Sequence, residues 1–355
     1  MSIQARFNAQ RGDFQLDAEL SIPETGITAL FGPSGSGKTS LLRAIAGLDH
    51  YENGFVKVGD QVWQDGKEFL PTHKRSIGFV FQEANLFPHL SVKQNIEYGL
   101  KRSKATERKI VLQQAIELLG IEKLLTRSVE ALSGGEQQRV AITRALAVSP
   151  KLLLMDEPLA SLDADRKQEV LPYIERLHQE LDIPVLYVSH AMEEIVTIAD
   201  RLILINDGKT SESGNIGDML TRMDSTLAHK HDAAAIVDAK VIEHDETYSL
   251  TYLDSAAGRF AVAKTTVSIS DSARLRIAAR DVSLTLSQHS DSSILNCLPA
   301  IIDDIGDEGT GQVTVRLLAN GIPLLARITR KSSHELGLHK GKTVFAQVKS
   351  VALLI

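Results

Sequence analysis

Apolar and polar residues alternate at Ile3, Ala5 and Phe7, and again at Phe14, Leu16, Ala18, Leu20 and Ile22. A period of two sets every second side chain on one face of a strand, so the chain opens with two half-buried strands turning at Arg11-Gly12-Asp13. From residue 28 the texture changes. Short unbroken apolar runs at 28–31, 77–81, 152–155, 185–188 and 202–205 are separated by segments with helical periodicity. Runs without alternation suit strands covered on both faces, and strands that alternate with helices build a mainly parallel sheet with helices on either side. Residues 211–231 mix Ser, Gly, Asp, Met and His around one short helical stretch and read as a connection. Beyond Asp232 alternation returns in short strands at 248–253, 274–278, 312–317 and 342–348, the texture of a small all-β domain.

This last region echoes itself. Arg280-Asp281-Val282-Ser283-Leu284 resembles Lys349-Ser350-Val351-Ala352-Leu353, and 258–263 resembles 321–326. The expected organisation is therefore a first domain at 1–231 and two related β units at 232–290 and 291–355. A length of 355 residues accommodates two or three domains.

Composition narrows the chemistry. With 43% hydrophobic and 24% charged residues the chain can bury a core and is not a disordered tail. Lys and Arg total 39 against 45 Asp and Glu, and a net charge of −6 gives no general attraction to nucleic acid or anionic lipid. Nucleic acid is not an expected partner, and any phosphate binding must be local. The single cysteine, Cys297, excludes an internal disulfide framework and fits a reducing compartment. No stretch approaches the ~20 apolar residues that cross a bilayer, and the first residues lack a signal-peptide core. A soluble chain is expected.

Gly32-Pro33-Ser34-Gly35-Ser36-Gly37-Lys38-Thr39 lies between an apolar strand and a helical segment that starts at about Ser40. Glycines in that context let successive N–H groups converge on phosphate oxygens at a helix N-terminus, Lys38 reaches the terminal phosphates, and Thr39 can hold Mg²⁺. The strand at 152–155 delivers Asp156 to its C-terminal edge, where it would bind Mg²⁺ through water. Glu157 follows, placed to act as general base toward an attacking water. Leu132-Ser133-Gly134-Gly135-Glu136 opens a further helix, whose exposed N–H groups make a second phosphate-binding surface. Two such surfaces suggest two subunits, with each nucleotide sandwiched between the loop of one and the serine of the other.

On these residues the chain resembles the ATP-binding subunits of ABC transporters. The family's motifs fall in its order: Walker A at 32–39, a Q-loop at Gln82, the signature at 132–136, Walker B with Asp156 and Glu157, a D-loop with Asp163, and an H-loop at His190. The resemblance implies an α/β P-loop NTPase, an ABC cassette with an antiparallel β subdomain and a helical subdomain, followed by a small all-β OB-like domain. It implies ATP and Mg²⁺ as cofactors, with Gln82 sensing Mg²⁺ and water, Asp163 communicating across a homodimer, and His190 contacting the γ-phosphate. It further implies two copies of an integral membrane permease docking near 82–92, an oxyanion receptor acting through them, and a peripheral place on the cytoplasmic face of the inner membrane. Many members stack adenine on an aromatic residue of the N-terminal strands; counting back from Gly32 reaches Ala9, and Phe14 and Phe7 are the aromatic alternatives.

The tail resembles the Mop domain, through Ser293-Ile294-Leu295-Asn296, 325–329 and 348–353, and the run 79–90 resembles the molybdate-importing members of the family. A Mop-type site implies hydroxyls, N–H groups and a positive charge around a tetrahedral dianion, here Ser293, Asn296, Lys349 and Ser350, with Leu295 where the family often has a basic residue. The expected function is ATP-driven uptake of molybdate, and of tungstate, with feedback through the tail. The alternatives are a sulfate, iron or sugar importer. A soluble ABC protein acting on DNA or ribosomes lacks its basic surface here, and an oxyanion regulator with an incidental ATPase would not need Glu157 and His190.

Overall fold

The computed structural model describes residues 2–11, 14–100, 112–180, 182–225, 227–229, 233–288, 291–307, 309 and 311–354. Gly12 and Asp13 of the expected first turn, and the expected boundary at Asp232, lie outside them. The chain forms two compact units, Met1–Gly214 and Asn215–Ile355. The divide precedes the short helix Ile216–Thr221, which Asn215 caps through Gly217 N–H at 2.9 Å and which packs on strand Ala234–Asp245.

The first unit is built on an 11-stranded sheet in the order Glu68–Phe69, Gln61–Asp65, Phe55–Val58, Ile3–Arg11, Phe14–Ile22, Lys209–Asn215, Arg201–Asn206, Ile27–Phe31, Val185–Ser189, Leu152–Asp156, Ile77–Val80. The strands from Arg201–Asn206 to Ile77–Val80 are parallel; of those predicted from unbroken apolar runs, Leu152–Asp156 and Val185–Ser189 are buried at every position, whereas Ile77–Val80 alternates half-buried and buried. The other end is antiparallel, as the alternation at the N-terminus requires. One strand departs from expectation. Lys209–Asn215, read as the start of a connection, is in the sheet because its backbone pairs with Phe14–Ile22 and Thr210 Oγ1 accepts from Glu19 N–H at 3.0 Å. Its side chains alternate exposed and half-buried and none is apolar, so no apolar pattern marked it.

A buried cation fastens the antiparallel end to the first helix, Lys38–Ala46. Arg75, 5% exposed, donates to the carbonyls of Leu70 at 2.8 Å, Ile45 at 2.6 Å, Ala44 at 3.3 Å and Trp63 at 3.4 Å. Two of these are carbonyls of the helix's last turn, where Gly47 N–H also meets Ala44 at 3.0 Å, so the guanidinium adds to the cap and meets the helix dipole. Its planar face lies against the rings of Phe69 and Trp63. Burial pushes it down to about 10, which leaves it charged at neutral pH.

The second unit holds two five-stranded sheets sharing one core. Hairpins Ala234–Asp245 with Leu250–Ser255, and Asn296–Asp307 with Gln312–Ala319, carry register shifts at matching places, Val241/Glu243 and Ile302/Asp304. The echoed segments cross over. Val282–Thr285 pairs with Thr343–Val348, while Ala352–Leu354 pairs back with Ser272–Ala278, so neither sheet comes from one contiguous stretch. The strand expected from residue 248 begins at Leu250, because the Asp245 carboxylate accepts the N–H groups of Thr247 and Tyr248 and closes a turn there.

Candidate functional site

The glycine-rich loop leaves strand Ile27–Phe31 and enters helix Lys38–Ala46. Two of its glycines have no substitute. A Cβ on Gly32 would lie 2.0 Å from the Ile205 carbonyl oxygen; Gly37 has φ +97° and presses on the Phe14 ring, 2.5 Å from where a Cβ would stand. Lys38 is 4% exposed and donates to the Gly32 and Pro33 carbonyls at 2.9 and 2.8 Å, with Glu157 4.0 Å away. Burial lowers its pKa, and the charges of Glu157 and Asp156 oppose that shift.

Asp156 ends the buried strand Leu152–Asp156 and accepts from Thr39 Oγ1 at 3.0 Å. Burial raises its pKa, partly offset by that hydrogen bond. Glu157 turns out of the strand with φ +45°, a conformation that costs a non-glycine residue about 1–2 kcal/mol. Its N–H bonds the Val188 carbonyl at 3.0 Å, and its carboxylate sits between Lys38 and His190, whose Nδ1 is 3.1 Å from Oε2. The strain points the carboxylate at the loop.

Phe14, Ser34, Gly35, Gly37, Lys38, Thr39, Ser40 and Glu157 line a cleft of ≈ 390 Å³. Among the aromatic alternatives, Phe7 is wholly buried in the core and Ala9 packs against it, whereas Phe14 is on the cleft wall. Phe14→Ala is expected to weaken ATP binding about tenfold, the value of one ring stack at ~1.4 kcal/mol, with little loss of fold stability. Titration with a fluorescent ATP analogue checks this, and unchanged affinity would place the adenine elsewhere.

The signature residues stand apart from this cleft. Ser133 caps helix Gly134–Leu146: its Oγ accepts from Glu136 N–H at 3.3 Å while Glu136 Oε2 accepts from Ser133 N–H at 2.8 Å. Gly134 lies against Leu162, Gly135 faces Val170, and Asp163 caps helix Ala164–Glu180 by accepting from Arg166 N–H at 2.9 Å. None of Ser133, Gly134, Gly135, Glu136 or Asp163 lines the loop cleft.

Gln82 is exposed just past strand Ile77–Val80. The stretch after it is stapled by two residues that pattern reading missed. Asn95, fully buried, accepts Phe87 N–H at 2.8 Å and donates to the Phe87, Leu90 and Ser91 carbonyls. Arg144 of the signature helix donates to the Ala84 and Asn85 carbonyls at 3.0 and 2.9 Å and lies over the Phe87 ring, which also packs on Tyr98. Neither carries a motif; only an amide and a guanidinium facing loop carbonyls mark them.

In the second unit, Asn296 is buried and both ends of its amide are taken by the Ala261 backbone, at 2.7 and 3.0 Å. Ser293, Lys349 and Ser350 are exposed. A pocket of ≈ 360 Å³ lies elsewhere, lined by Arg280, Ser283, Arg327, Ser332 and Glu335 with apolar neighbours. Arg280 is the sequence echo of Lys349, the one signal that pointed to this place.

A family profile described as ABC transporter matches residues 16–160, and one described as TOBE domain matches 292–355. "Molybdenum import ATP-binding protein ModC" from Aromatoleum aromaticum is 53% identical over 99% of this chain and 94% of its own. The protein of that name from Thiobacillus denitrificans is 51% identical over 99% and 98%. The chain belongs to the ModC family of ABC transporter ATP-binding proteins. Among solved structures, a dimeric ATP-binding cassette in a post-hydrolysis state with ADP and Pi matches this ModC-family chain with a TM-score of 0.50 and 29% identity, covering 60% of it and 98% of the cassette. The structure of cbiO1 from Clostridium perfringens, part of the ABC transporter complex cbiONQ, shares the fold with a TM-score of 0.54 at 23% identity, covering 64% and 92%. The ModC-family chain is an ABC-type ATPase, with the cassette fold and all-β tail that its motifs implied. Among its described residues no helix is long and apolar enough to cross a membrane.

Proposed function

We propose that this chain hydrolyses ATP to drive molybdate uptake through a separate membrane permease. The observation that carries the cargo is likeness over the whole length, tail included, to relatives named for molybdenum import. The nucleotide chemistry needs positioning and charge. Lys38 and the loop N–H groups hold the phosphates, and Glu157, fixed between Lys38 and His190, accepts the proton of the attacking water. His190 steadies that carboxylate and reaches toward the γ-phosphate.

Thr39 and Asp156 fit Mg²⁺. They offer a hydroxyl and a buried carboxylate, and no cluster of three His, Cys, Asp or Glu exists among the described residues. Such a sparse oxygen set suits a dication that takes its other ligands from phosphate and water, with Gln82, two residues past the strand that pairs with Leu152–Asp156, to sense it. When bound, Mg²⁺ neutralises charge on the β- and γ-phosphates.

Because the signature residues do not reach the chain's own cleft, a second copy supplies them: Ser133, Gly134, Gly135 and Glu136 cover the partner's nucleotide, and Asp163 lies at that junction. ATP then closes a homodimer. The stapled stretch 82–92 docks the permease, and Arg144 joins it to the signature helix, so closure and docking move together. This places the chain peripherally on the inner face of the membrane, with an oxyanion receptor acting from the other side.

In cells lacking this chain, re-expression should restore uptake of radiolabelled molybdate, and Lys38→Ala should not. Restored uptake of sulfate but not molybdate would overturn the cargo. For the tail, the pocket lined by Arg280 and Arg327 offers two cationic side chains, of which Arg327 already donates to Thr314 Oγ1 and the Ala228 carbonyl, so Arg280 is the residue that would meet an oxyanion there; the Asn296 amide is paired at both ends. Calorimetry of the full chain should find molybdate binding that Arg280→Ala weakens. Unchanged binding in that variant, with loss in Lys349→Ala, would return the site to Ser293, Asn296, Lys349 and Ser350.

A further inference from the structure

Glu194 is 4% exposed on helix Met192–Ile198, and its carboxylate is fully engaged. Oε2 accepts from the Ser189 hydroxyl at 2.8 Å and from the Tyr187 phenol at 3.0 Å, and Oε1 accepts from the Lys167 ammonium at 2.8 Å. A buried carboxylate is tolerated only when paired and hydrogen-bonded, and removing one partner leaves the other exposed to an apolar interior. Burial and the neighbouring carboxylate push the Tyr187 phenol well up, so it remains a donor at neutral pH.

What the network holds is the turn that carries His190. Ser189 ends strand Val185–Ser189, and its Oγ also accepts from the Ala191 N–H at 3.0 Å. That bond spans His190 and fixes the backbone on both sides of it. The imidazole is left to meet Glu157 at 3.1 Å. Helix Met192–Ile198 has no side-chain cap at Ala191, so Glu194 acting through Ser189 provides the restraint that a cap would supply elsewhere. On the other side, Lys167 sits one turn into helix Ala164–Glu180, its N–H bonded to the Asp163 carbonyl at 3.0 Å. A displacement of Asp163 therefore carries Lys167 with it, and Lys167 pulls on Glu194.

We propose that Glu194 is the positioning residue for His190, and that its ion pair with Lys167 ties His190 to the segment that begins at Asp163. This rests on the catalytic reading of His190 given above. A carboxylate that touches neither nucleotide nor water thereby makes His190 responsive to what meets Asp163. The physical reason is stiffness: the buried Glu194 carboxylate takes charge-assisted hydrogen bonds of 2.8 Å from the partly exposed Lys167 and from Ser189, and Ser189 accepts the Ala191 N–H at 3.0 Å, so displacement passes along the chain of bonds with little slack.

ATPase kinetics of the full chain with Mg²⁺ test this. Glu194→Ala should lower kcat about 10- to 100-fold, the effect of a misplaced reacting group, with KM for ATP within about threefold of the parent. In a His190→Ala background the same change should cost less than about threefold, because the residue it positions is gone. Lys167→Met should lower kcat in the same direction, Lys167→Arg should restore it, and neither should matter once Glu194 is replaced. If Glu194→Ala fails to fold, Glu194→Gln carries the same cycle, since it keeps the size while removing the charge and one of the two acceptor oxygens. Multiplying effects of Glu194 and His190, or a change in KM with kcat intact, would overturn the proposal. A normal kcat in His190→Ala alone would instead overturn the reading of His190, and with it this one.

Discussion

Glu157→Gln is expected to lower ATP turnover by about 10²–10⁴-fold while ATP still binds, because it removes a general base and little else. Glutamine preserves the volume of the side chain and its fit between Lys38 and His190, but its amide does not accept the proton of the attacking water. The phosphate cradle belongs to other atoms: the loop N–H groups, Lys38 held by the Gly32 and Pro33 carbonyls, and the Thr39–Asp156 pair. Single-turnover hydrolysis and equilibrium binding of labelled ATP separate the two effects. Turnover within about threefold of the parent would remove Glu157 from that role. The backbone adds a further expectation. Glu157 holds φ +45°, so Glu157→Gly should relieve strain even as it abolishes turnover, and a raised unfolding midpoint in that variant reports the stored cost.

Arg75→Ala is expected to destabilise the first unit by about 3–5 kcal/mol, the upper range for a single substitution. The change removes the guanidinium from four carbonyls, of which Ala44 and Trp63 keep a backbone donor, leaves a hole between the rings of Phe69 and Trp63, and takes a cation from the C-terminal end of the helix that presents the phosphate loop. Trp63 is the only tryptophan in the sequence and lies beside the guanidinium, so its fluorescence follows unfolding at the altered place. The urea midpoint should fall by roughly 1–2 M for a unit of this size, and a fall of less than roughly 0.3 M would show that water satisfies those carbonyls. Arg75→Lys should recover only part of the loss. A single ammonium supplies three donors on a point charge and does not stack on the rings, whereas the planar guanidinium reaches carbonyls on separate elements. Stability and ATP affinity should fall together in these variants, unlike in Glu157→Gln.

How much of this was legible in the sequence follows from the range of each interaction. The loop at 32–39, the strand ending in Asp156 and the helix start at Ser133 are marked locally: glycine spacing, a four-residue apolar run, and a serine followed by two glycines. Such marks are read along the chain, so pattern reading located these segments, while the bond that Asp156 accepts comes from Thr39, 117 residues away. The oxyanion residues were less legible. Asn296 looks like a ligand until Ala261, 35 residues away in sequence, is seen to occupy both ends of its amide. Arg75 looks like a surface cation until the carbonyls of the first helix close around it.

By itself the sequence determined the parallel sheet, the phosphate loop, the carboxylate at the end of strand Leu152–Asp156 and the doubling of the β region, because hydropathy period and backbone-forming residues act over a few positions. Only the tertiary structure decided that Phe14 and not Phe7 faces the cleft, that polar Lys209–Asn215 is a strand, that the echoed β segments exchange sheets, and that Glu194 holds the turn of His190. Each of these depends on which distant backbone or side chain arrives as a partner. Alternation marks two candidate faces without saying which one the fold covers, and a strand held by backbone pairing alone leaves no mark in hydropathy.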